Sequence, residues 1–231
     1  VTGKLWNILL KSLIIWSMYI LKIVLNTTND ETRNILRSYG HELVNKSYSE
    51  PDYIICYRTY DIISEEVIKS AKIGAINFHT GPPQYPGRGS VNHALYNNDT
   101  EFGVTTHLMS HPIDSGQILD VRFFDIDRGD NVESLWEKTE ENLLIMFRDF
   151  CMGLNEPEYL SMKMEQNYDY KWKGKANKMK QIDNLQIVPL NCTEEELKSI
   201  IRSTYTPEFR PKILMHGYEF VMKELEIKDK K

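Results

Sequence analysis

An asparagine and a histidine stand two residues apart, Asn77 and His79, at the end of an apolar run that is typical of a buried strand. The chain then enters a loop rich in proline and glycine, and the whole stretch reads "INFHTGPPQYPGRG". A histidine can carry a proton near neutral pH, and an asparagine amide can donate to a developing oxyanion. With a carboxylate as a third group to orient the imidazole, this set suits acyl-type transfer to an amine. Taken alone, an Asn-x-His pair is more often structural.

Strands and helices alternate along the first half of the chain, which indicates a parallel sheet covered by helices. The predicted strands are "LKIVL", "HELV", "PDYIICY" and "GAINF", and the helices between them include "DETRNILRSYG" and "EEVIKSA". Ser64 is the predicted N-cap of the second helix, with a glutamate at the offset expected for a capping box. In open sheets of this kind the binding crevice lies outside the carboxyl ends of the strands, which places Asn77 and His79 in the crevice.

The later elements are predicted in the same way. "VNHALYNND" is a short helix, "FGVTTHLM" and "QILDVRFFDI" are strands joined by the polar turn "HPIDSG", and Val132–Cys151 is a long helix. Thr193 and Glu196 form a capping box before a further helix, and "KILMHGYEFVM" predicts a hairpin turning at His216 and Gly217. The expected fold class is therefore α/β: a Rossmann-like open, mostly parallel sheet with helices on both faces, plus a small C-terminal helix and β-hairpin appendage.

Three regions are expected from these patterns: an apolar N-terminal extension over residues 1–20, a catalytic domain over 21–154, and a C-terminal module over 155–231. The apolar segment Leu5–Leu21 is interpreted as a buried or partner-facing helix. Its uncharged part, Ser12–Leu21, is half of the ~20 residues needed to cross a bilayer, and no cleavage site follows it. A membrane anchor with Lys11 and Lys22 at the interface stays open as the alternative.

Composition limits the classes of function. The 231 residues are 41% apolar and 26% charged, which is enough to bury a core in one domain. The net charge of −5 argues against nucleic-acid binding through a generally basic surface. Cys56, Cys151 and Cys192 are far apart and form no CxxC pair, so neither a zinc site nor a disulfide framework is expected, and no metal. The reducing cytoplasm is the expected compartment.

A lysine-rich segment, "YKWKGKANKMK", surrounds Trp172 with five lysines. The simpler interpretation is a solvated loop. The alternative is a cationic rim for a diphosphate or polyglutamate, in which Lys171 contributes charge and Trp172 offers a stacking surface.

The longer stretch "INFHTGPPQYPGRGSVNHALYNNDTEFGVTTHLMSHPIDSGQIL" resembles the signature of the folate-dependent formyltransferase family. Members of this family pair an Asn-x-His at a strand end with a Pro- and Gly-rich loop, a Gly-Val-Thr strand and an Asp-x-Gly turn before Ile-Leu. The corresponding elements here are Asn77 and His79, Pro82 to Gly89, Gly103 to Thr105, and Asp114 to Gly116. The resemblance covers residues 21–154. The family commonly has proline where this chain has Thr80.

The resemblance implies that the formyl donor is 10-formyltetrahydrofolate and that the catalytic trio is Asn77, His79 and Asp114. It places the pterin pocket, through largely main-chain contacts, at seven residues: Arg58, Thr59, Tyr60, Ile62, His111, Ile113 and Asp114. Candidate contacts of the acceptor are Thr80, Gly81, Tyr85 and Arg88 in the loop and Lys171 and Trp172 beyond it. Three other histidines are weaker candidates for a catalytic role: His107 points from a strand, His93 lies on a helix, and His111 borders the pocket.

The resemblance further implies that a neutral amine attacks the formyl carbon while His79 and Asn77 stabilise the oxyanion and Asp114 holds His79. Whether His79 acts as base or as cationic donor stays open. Missing sequence features narrow the choice of acceptor. Enzymes that act on glycinamide ribonucleotide have a glycine-rich phosphate loop after the first strand, and this chain has no glycine there, so that acceptor is disfavoured. The tail also has little room for the barrel of enzymes that formylate methionyl-tRNA. A nucleotide-linked amino-dideoxysugar is therefore the expected substrate, and those two acceptors are the alternatives.

Two further expectations concern the oligomeric state and the class of function. A homodimer through the C-terminal helix and hairpin is expected, because that appendage is too small to form an independent core. An inactive relative that keeps the fold as a folate- or nucleotide-binding module is the alternative from another class, since a fold alone does not establish activity.

Overall fold

The computed structural model describes residues 20–224 except residues 48, 157 and 208. Six strands form the main sheet in the order β2-β1-β3-β4-β5-β6, and two further strands form a separate hairpin. The strands are β1 Lys22–Asn26, β2 Glu42–Leu43, β3 Tyr53–Tyr57, β4 Gly74–His79, β5 Glu101–Leu108, β6 Ile118–Asp125, β7 Lys212–Met215 and β8 Tyr218–Val221. Strands β2, β1, β3 and β4 are parallel, whereas β5 is antiparallel to both β4 and β6. The predicted fold class, a mostly parallel open sheet, is confirmed.

Seven helices accompany these strands within the described residues. They are α1 Asp30–Ser38, α2 Glu65–Ser70, α3 Ser90–Tyr96, α4 Val132–Gly153, α5 Tyr159–Gln166, α6 Met179–Leu185 and α7 Glu194–Thr204. The short helix α3, the long helix α4, the capping box of α7 and the hairpin all match their predictions. The hairpin turns at His216 and Gly217, which both have positive φ, as a two-residue turn of this kind requires.

Helices cover both faces of the sheet because the parallel strands are apolar on both sides. On one face, Ile23, Ile55 and Ile76 pack against a cluster that α1, α4 and α5 complete. On the other, Val24 and Ile54 pack with residues of α2 and its surroundings. A third cluster joins α3 to the start of α4. The result is a rigid support for the carboxyl ends of β3 and β4.

Helix starts are fixed by side-chain caps. Ser64 accepts a hydrogen bond from the main-chain N–H of Val67 at the start of α2, as expected of an N-cap. The capping box predicted there is wrong, because the third helical position is Val67 and a valine side chain cannot reach back to the cap. The box on α7 is present, since Thr193 and Glu196 exchange hydrogen bonds of 3.2 and 2.7 Å.

The region after Leu154 contains two helices that periodicity did not indicate, α5 and α6. Helix α5 packs Tyr159, Leu160 and Met164 against the main core, so residues beyond Leu154 contribute to the same sheet-covering layer. The boundaries at 20 and 154 stay predictions. The prediction for Leu5–Leu21 concerns a segment that lies almost entirely outside the described residues. Among the helices that the structure describes, none is both long and apolar enough to cross a membrane.

Candidate active site

Strand β4 brings Asn77 and His79 to the carboxyl end of the parallel strands on one face, because side chains two residues apart in a strand point the same way. The neighbouring strand β5 runs antiparallel, with His107 opposite Asn77 and Thr105 opposite His79. His79 is 6% exposed and His107 is 2% exposed. The sheet register therefore sets a second buried histidine directly beside the predicted pair.

Asp114 completes the predicted trio. Its backbone has a positive φ of 49°, which turns the loop after β5 back toward the strand ends. The carboxylate approaches three groups: the Nδ1 atom of His79 at 3.4 Å, the Nε2 atom of His107 at 3.2 Å, and the main-chain N–H of Gly87, which donates over 2.7 Å. One buried carboxylate thus joins both histidines and the proline- and glycine-rich loop, and the structure brings Asn77, His79 and Asp114 together.

His107 is the residue of the candidate site that sequence reasoning undervalued. Its Nε2 atom lies 3.0 Å from the Nδ2 atom of Asn77 as well as 3.2 Å from Asp114, and its Nδ1 atom donates to the carbonyl of Leu108 over 2.8 Å. The alternating pattern of β5 showed only that His107 was on a strand. The pairing of β5 with β4 was the missing information, since that register decides which residue stands beside Asn77.

Burial dominates the protonation of His79, because desolvation lowers its pKa below the ordinary 6.5, although Asp114 and the Tyr85 carbonyl act in the opposite direction. Burial alone would raise the pKa of Asp114. The nearby histidines and the Gly87 N–H outweigh that effect and hold the pKa of this carboxyl below its ordinary 3.8. The site therefore combines an ionised carboxylate with an imidazole that is neutral at neutral pH and can accept a proton.

Residues 80–89, here called the catalytic loop, are closely fitted to His79. A Cβ atom added at Gly81 would lie 2.8 Å from the Nε2 atom of His79 and 2.6 Å from the Cβ atom of Ser90, so only glycine fits. The Nε2 atom of His79 lies 3.0 Å from the carbonyl oxygen of Tyr85. The hydroxyl of Ser90 donates to the carbonyl of Thr80 over 2.7 Å. Two of the predicted acceptor contacts, Gly81 and Tyr85, thus touch His79 itself.

A segment of the C-terminal region, residues 172–177, lies along the catalytic loop and is here called the strap. Main-chain N–H groups of Lys173 and Asn177 donate to the carbonyls of Pro83 and Pro86, both over 2.8 Å, and Arg88 returns a bond of 2.9 Å to Asn177. One isolated parallel bridge joins Gly87 to Asn177, and the strap bends at Gly174, where φ is positive. It is therefore more ordered than the solvated loop that the lysine-rich composition suggested.

Trp172 begins the strap and stands over both histidines. Its ring is edge-on to those of His107 and His79, at centroid distances of 4.9 and 5.6 Å, and its Nε1 atom donates to the carbonyl of Gly116 over 2.8 Å. Half-buried in this position, the indole forms a wall of the site. Lys171, in contrast, points outward and donates to the carbonyl of Tyr168.

The residues predicted to hold a pterin ring occupy two loops beside this centre. The Nε2 atom of His111 donates to the carbonyl of Ile63 over 3.0 Å and so joins the loop after β3 to the loop that carries Asp114. Three apolar side chains on these loops are exposed: Tyr60 by 76%, Ile62 by 71% and Ile113 by 44%. Apolar surface of this kind at a strand edge suits a flat heterocycle with a polar rim.

Arg58 and Thr59, two more of the predicted pocket residues, also have partners on the protein. Arg58 forms an ion pair with Glu140 and lies over the ring of Trp136 at 5.5 Å, which directs its guanidinium toward α4. The hydroxyl of Thr59 accepts a hydrogen bond from Asn26. Their side chains thus support the loop after β3, in keeping with pterin contacts that are largely main-chain.

The rim of the site carries a further contact. The guanidinium of Arg88 lies 4.6 Å from the ring centroid of Tyr60, within the range of a cation–π interaction, and links the catalytic loop to the loop after β3. Both side chains are exposed. The mouth of the crevice is therefore lined by groups that can move without disturbing the buried histidines.

Fold and site define an α/β protein with a half-buried amide and a buried imidazole and carboxylate at the carboxyl edge of its sheet. A family model described as formyl transferase matches residues 23–147, so the chain belongs to the formyl transferase family. A methionyl-tRNA formyltransferase of a Nitratiruptor species is 38% identical over 89 residues, which are 38% of this chain and 29% of that relative. The chain thus spans less than a third of the length of this curated relative.

Solved structures resemble the chain over nearly its whole length. A sugar N-formyltransferase from Shewanella sp FDAARGOS_354 has a TM-score of 0.68 at 18% identity, and the match covers 92% of this chain and 100% of that one. A sugar 3N-formyl transferase solved in the presence of dTDP and 5-N-formyl-THF has a TM-score of 0.59 at 19% identity, covering 84% of this chain and 73% of that one. At these identities the likeness establishes the fold.

Proposed function

We propose that this protein is an N-formyltransferase that moves a formyl group from 10-formyltetrahydrofolate to the primary amine of a nucleotide-linked amino-dideoxysugar. The observation that carries the proposal is the buried Asp114 carboxylate, which lies 3.4 Å from His79 in a site where Asn77 offers an amide. Family membership supports the transferred group. The folate complex of a structural neighbour supports the donor, and the exposed Tyr60, Ile62 and Ile113 offer a surface for its pterin ring.

The folate, when bound, supplies the formyl group that the amine receives; the bond between the formyl carbon and the folate nitrogen breaks, and that nitrogen takes up the proton from His79 as tetrahydrofolate leaves. His79, neutral because it is buried, accepts the proton that the amine loses as the new C–N bond forms. The ring becomes cationic beside Asp114, whose negative charge stabilises it. The Asn77 amide is placed to donate to the negative charge that develops on the formyl oxygen, a contribution of about 3 kcal/mol for one well-placed donor.

The acceptor is proposed from the charge around the mouth. Arg88 on the catalytic loop and Lys171, Lys173 and Lys175 around the strap are exposed, although the whole chain carries a net charge of −5. A diphosphate held by this local cationic rim would leave the sugar amine free to reach His79, so that remote binding energy positions the reacting group. The neighbour solved with dTDP supports an acceptor of this class.

Methionyl-tRNA is the second candidate acceptor, because the curated relative that is similar over 89 residues is a methionyl-tRNA formyltransferase. The two candidates separate in one experiment. Purified protein is incubated with 10-formyltetrahydrofolate and, in separate reactions, a panel of amino-sugar nucleotides, methionyl-tRNA and glycinamide ribonucleotide. Mass spectrometry is expected to show an amino-sugar nucleotide heavier by one formyl group, with its amine blocked.

The same reaction with His79→Ala is expected to be slower by about a hundredfold or more, while thermal protection by a folate analogue is kept. Efficient formylation of methionyl-tRNA or glycinamide ribonucleotide, with no reaction of any sugar nucleotide, would refute the acceptor. Folate protection of the wild-type protein without turnover of any acceptor would instead favour the inactive binding module.

We also propose a homodimer through the β7–β8 hairpin, with the protein acting in the cytoplasm. Two-stranded hairpins are marginal in water, yet Tyr218, Phe220 and Val221 are largely exposed on this one. A second copy of the chain would cover them. Phe220→Asp is expected to yield a monomer by light scattering, whereas Met152→Asp, an exposed apolar position on α4, keeps the dimer. A Phe220→Asp protein with unchanged mass, or a monomeric wild type, would refute the proposal.

A further inference from the structure

The Nε2 atom of His107 has two polar neighbours, of which one can only donate a hydrogen bond and the other can only accept one. Its Nδ1 atom faces the carbonyl of Leu108 at 2.8 Å, and a carbonyl can only accept, so Nδ1 carries a hydrogen. Its Nε2 atom lies 3.0 Å from the amide nitrogen of Asn77, which can only donate, and 3.2 Å from a carboxylate oxygen of Asp114, which accepts. Nε2 cannot satisfy both neighbours at the same time.

The other contacts of Asp114 and Asn77 decide between these neighbours. Asp114 already has the Gly87 N–H at 2.7 Å and the His79 ring at 3.4 Å. Within the described residues, the Asn77 side chain has His107 as its hydrogen-bond partner. A neutral His107 with the hydrogen on Nδ1 therefore satisfies Asn77 and leaves Asp114 bonded. If Nε2 were protonated, it would donate to Asp114 instead. Its N–H group would then face the N–H group of the Asn77 amide, and neither could accept from the other.

We propose that His107 is a positioning residue that acts through Asn77. As the neutral Nδ1–H tautomer it accepts one hydrogen of the Asn77 amide, which fixes the plane of the amide and leaves the second hydrogen to donate to the formyl oxygen. The site then contains two histidines with different roles. His79 exchanges a proton during the reaction, whereas His107 stays neutral and holds the Asn77 amide that donates to the oxyanion. This inference rests on the proposed formyl transfer, because the oxyanion is the group that the fixed amide serves.

The surroundings of the His107 ring hold this tautomer in place. His107 is 2% exposed, and the edge of its ring is covered by Trp172 at a centroid distance of 4.9 Å. The titratable groups that face it are His79 on β4 and Asp114 on the following loop. A buried ring held by a main-chain carbonyl at one nitrogen has its tautomer set by that bond. Rotation of the ring would break two hydrogen bonds at once.

Substitution at this position tests the role. His107→Phe keeps a buried ring but accepts nothing, and it is expected to lower kcat by about ten- to a hundredfold with KM for the folate and the acceptor within about threefold of wild type. His107→Gln, whose side-chain oxygen can accept from Asn77, is expected to retain about tenfold more turnover than His107→Phe. His41→Phe is the matched control, since His41 is also buried but lies at the opposite end of the parallel strands.

Nitrogen NMR of the histidine rings provides a readout that a purely structural role would not produce. In the substrate-free wild-type protein at neutral pH, His107 is expected to show a protonated Nδ1 and an unprotonated Nε2. A protonated Nε2, or turnover of His107→Phe within about threefold of His41→Phe, would overturn the proposal. The NMR experiment needs no substrate. It therefore still decides the tautomer if His107→Phe does not fold or if no acceptor is formylated, and the latter result would refute the proposed function instead.

Discussion

Replacing Asp114 by asparagine removes one negative charge from a buried site and nearly preserves the shape of the side chain. When His79 accepts a proton, its ring becomes cationic 3.4 Å from the Oδ2 atom of Asp114. At an effective dielectric constant of about 20, unit charges at this separation attract by about 5 kcal/mol. If roughly half of this attraction is realised in the transition state, its loss lowers the rate by about a hundredfold. We therefore expect Asp114→Asn to lower kcat by about that factor.

A matched control separates this charge effect from loss of stability. Asp130 is equally buried and accepts hydrogen bonds from the Asp127 N–H, the Ser134 hydroxyl and Lys138, but it lies outside the site. Both Asp114→Asn and Asp130→Asn are expected to lower the free energy of unfolding in urea by about 1–3 kcal/mol. Only Asp114→Asn is expected to lower kcat. Similar kcat losses in both variants, or full turnover in Asp114→Asn, would refute the reasoning.

Three further outcomes are expected. Trp172→Phe should keep turnover within about threefold of wild type, whereas Trp172→Ala should lower it by about tenfold as water reaches the histidines; steady-state kinetics distinguishes them. Gly116→Ala should destabilise the fold by more than about 3 kcal/mol in urea unfolding, since the new Cβ atom would lie 1.8 Å from the Leu108 carbonyl oxygen. Burial lowers the pKa of His41 below its ordinary 6.5, so the unfolded chain binds more protons below that pH and stability falls with acid. His41→Phe should weaken this fall between about pH 7 and pH 5, and an unchanged slope would contradict it.

The strand-end site could be predicted from the sequence because its signals are local. An amide and an imidazole two residues apart at the end of an apolar run must share a face of the sheet, and the Asp-x-Gly turn marks the loop that carries Asp114. The fold class follows from the same alternation of strands and helices. The error at Ser64 was also local, since counting three residues on from the cap reaches Val67 and no glutamate.

The contributions of His107 and Trp172 could not be predicted from local patterns, for two physical reasons. His107 meets Asn77 through the register between β4 and β5, and register depends on the whole pairing of the two strands. Trp172 reaches the histidines because the strap pairs with the catalytic loop through main-chain hydrogen bonds, as at Asn177 and Arg88. Main-chain pairing leaves no characteristic side chain in the sequence, so five nearby lysines suggested a solvated loop.

The buried histidines and the exposed mouth of the site are expected to respond separately to mutation, yet contacts through the catalytic loop couple them. The Nε2 atom of His79 lies 3.0 Å from the Tyr85 carbonyl oxygen of the catalytic loop, so an acceptor amine that bonds to this nitrogen must displace that contact. The strap is bonded to the same loop at Pro83 and Pro86, and it carries exposed lysines. A diphosphate that binds those lysines can therefore shift the loop, which is also bonded to Asp114 through the Gly87 N–H. Freeing of the catalytic histidine would then accompany the arrival of the acceptor, which limits transfer of the formyl group to water.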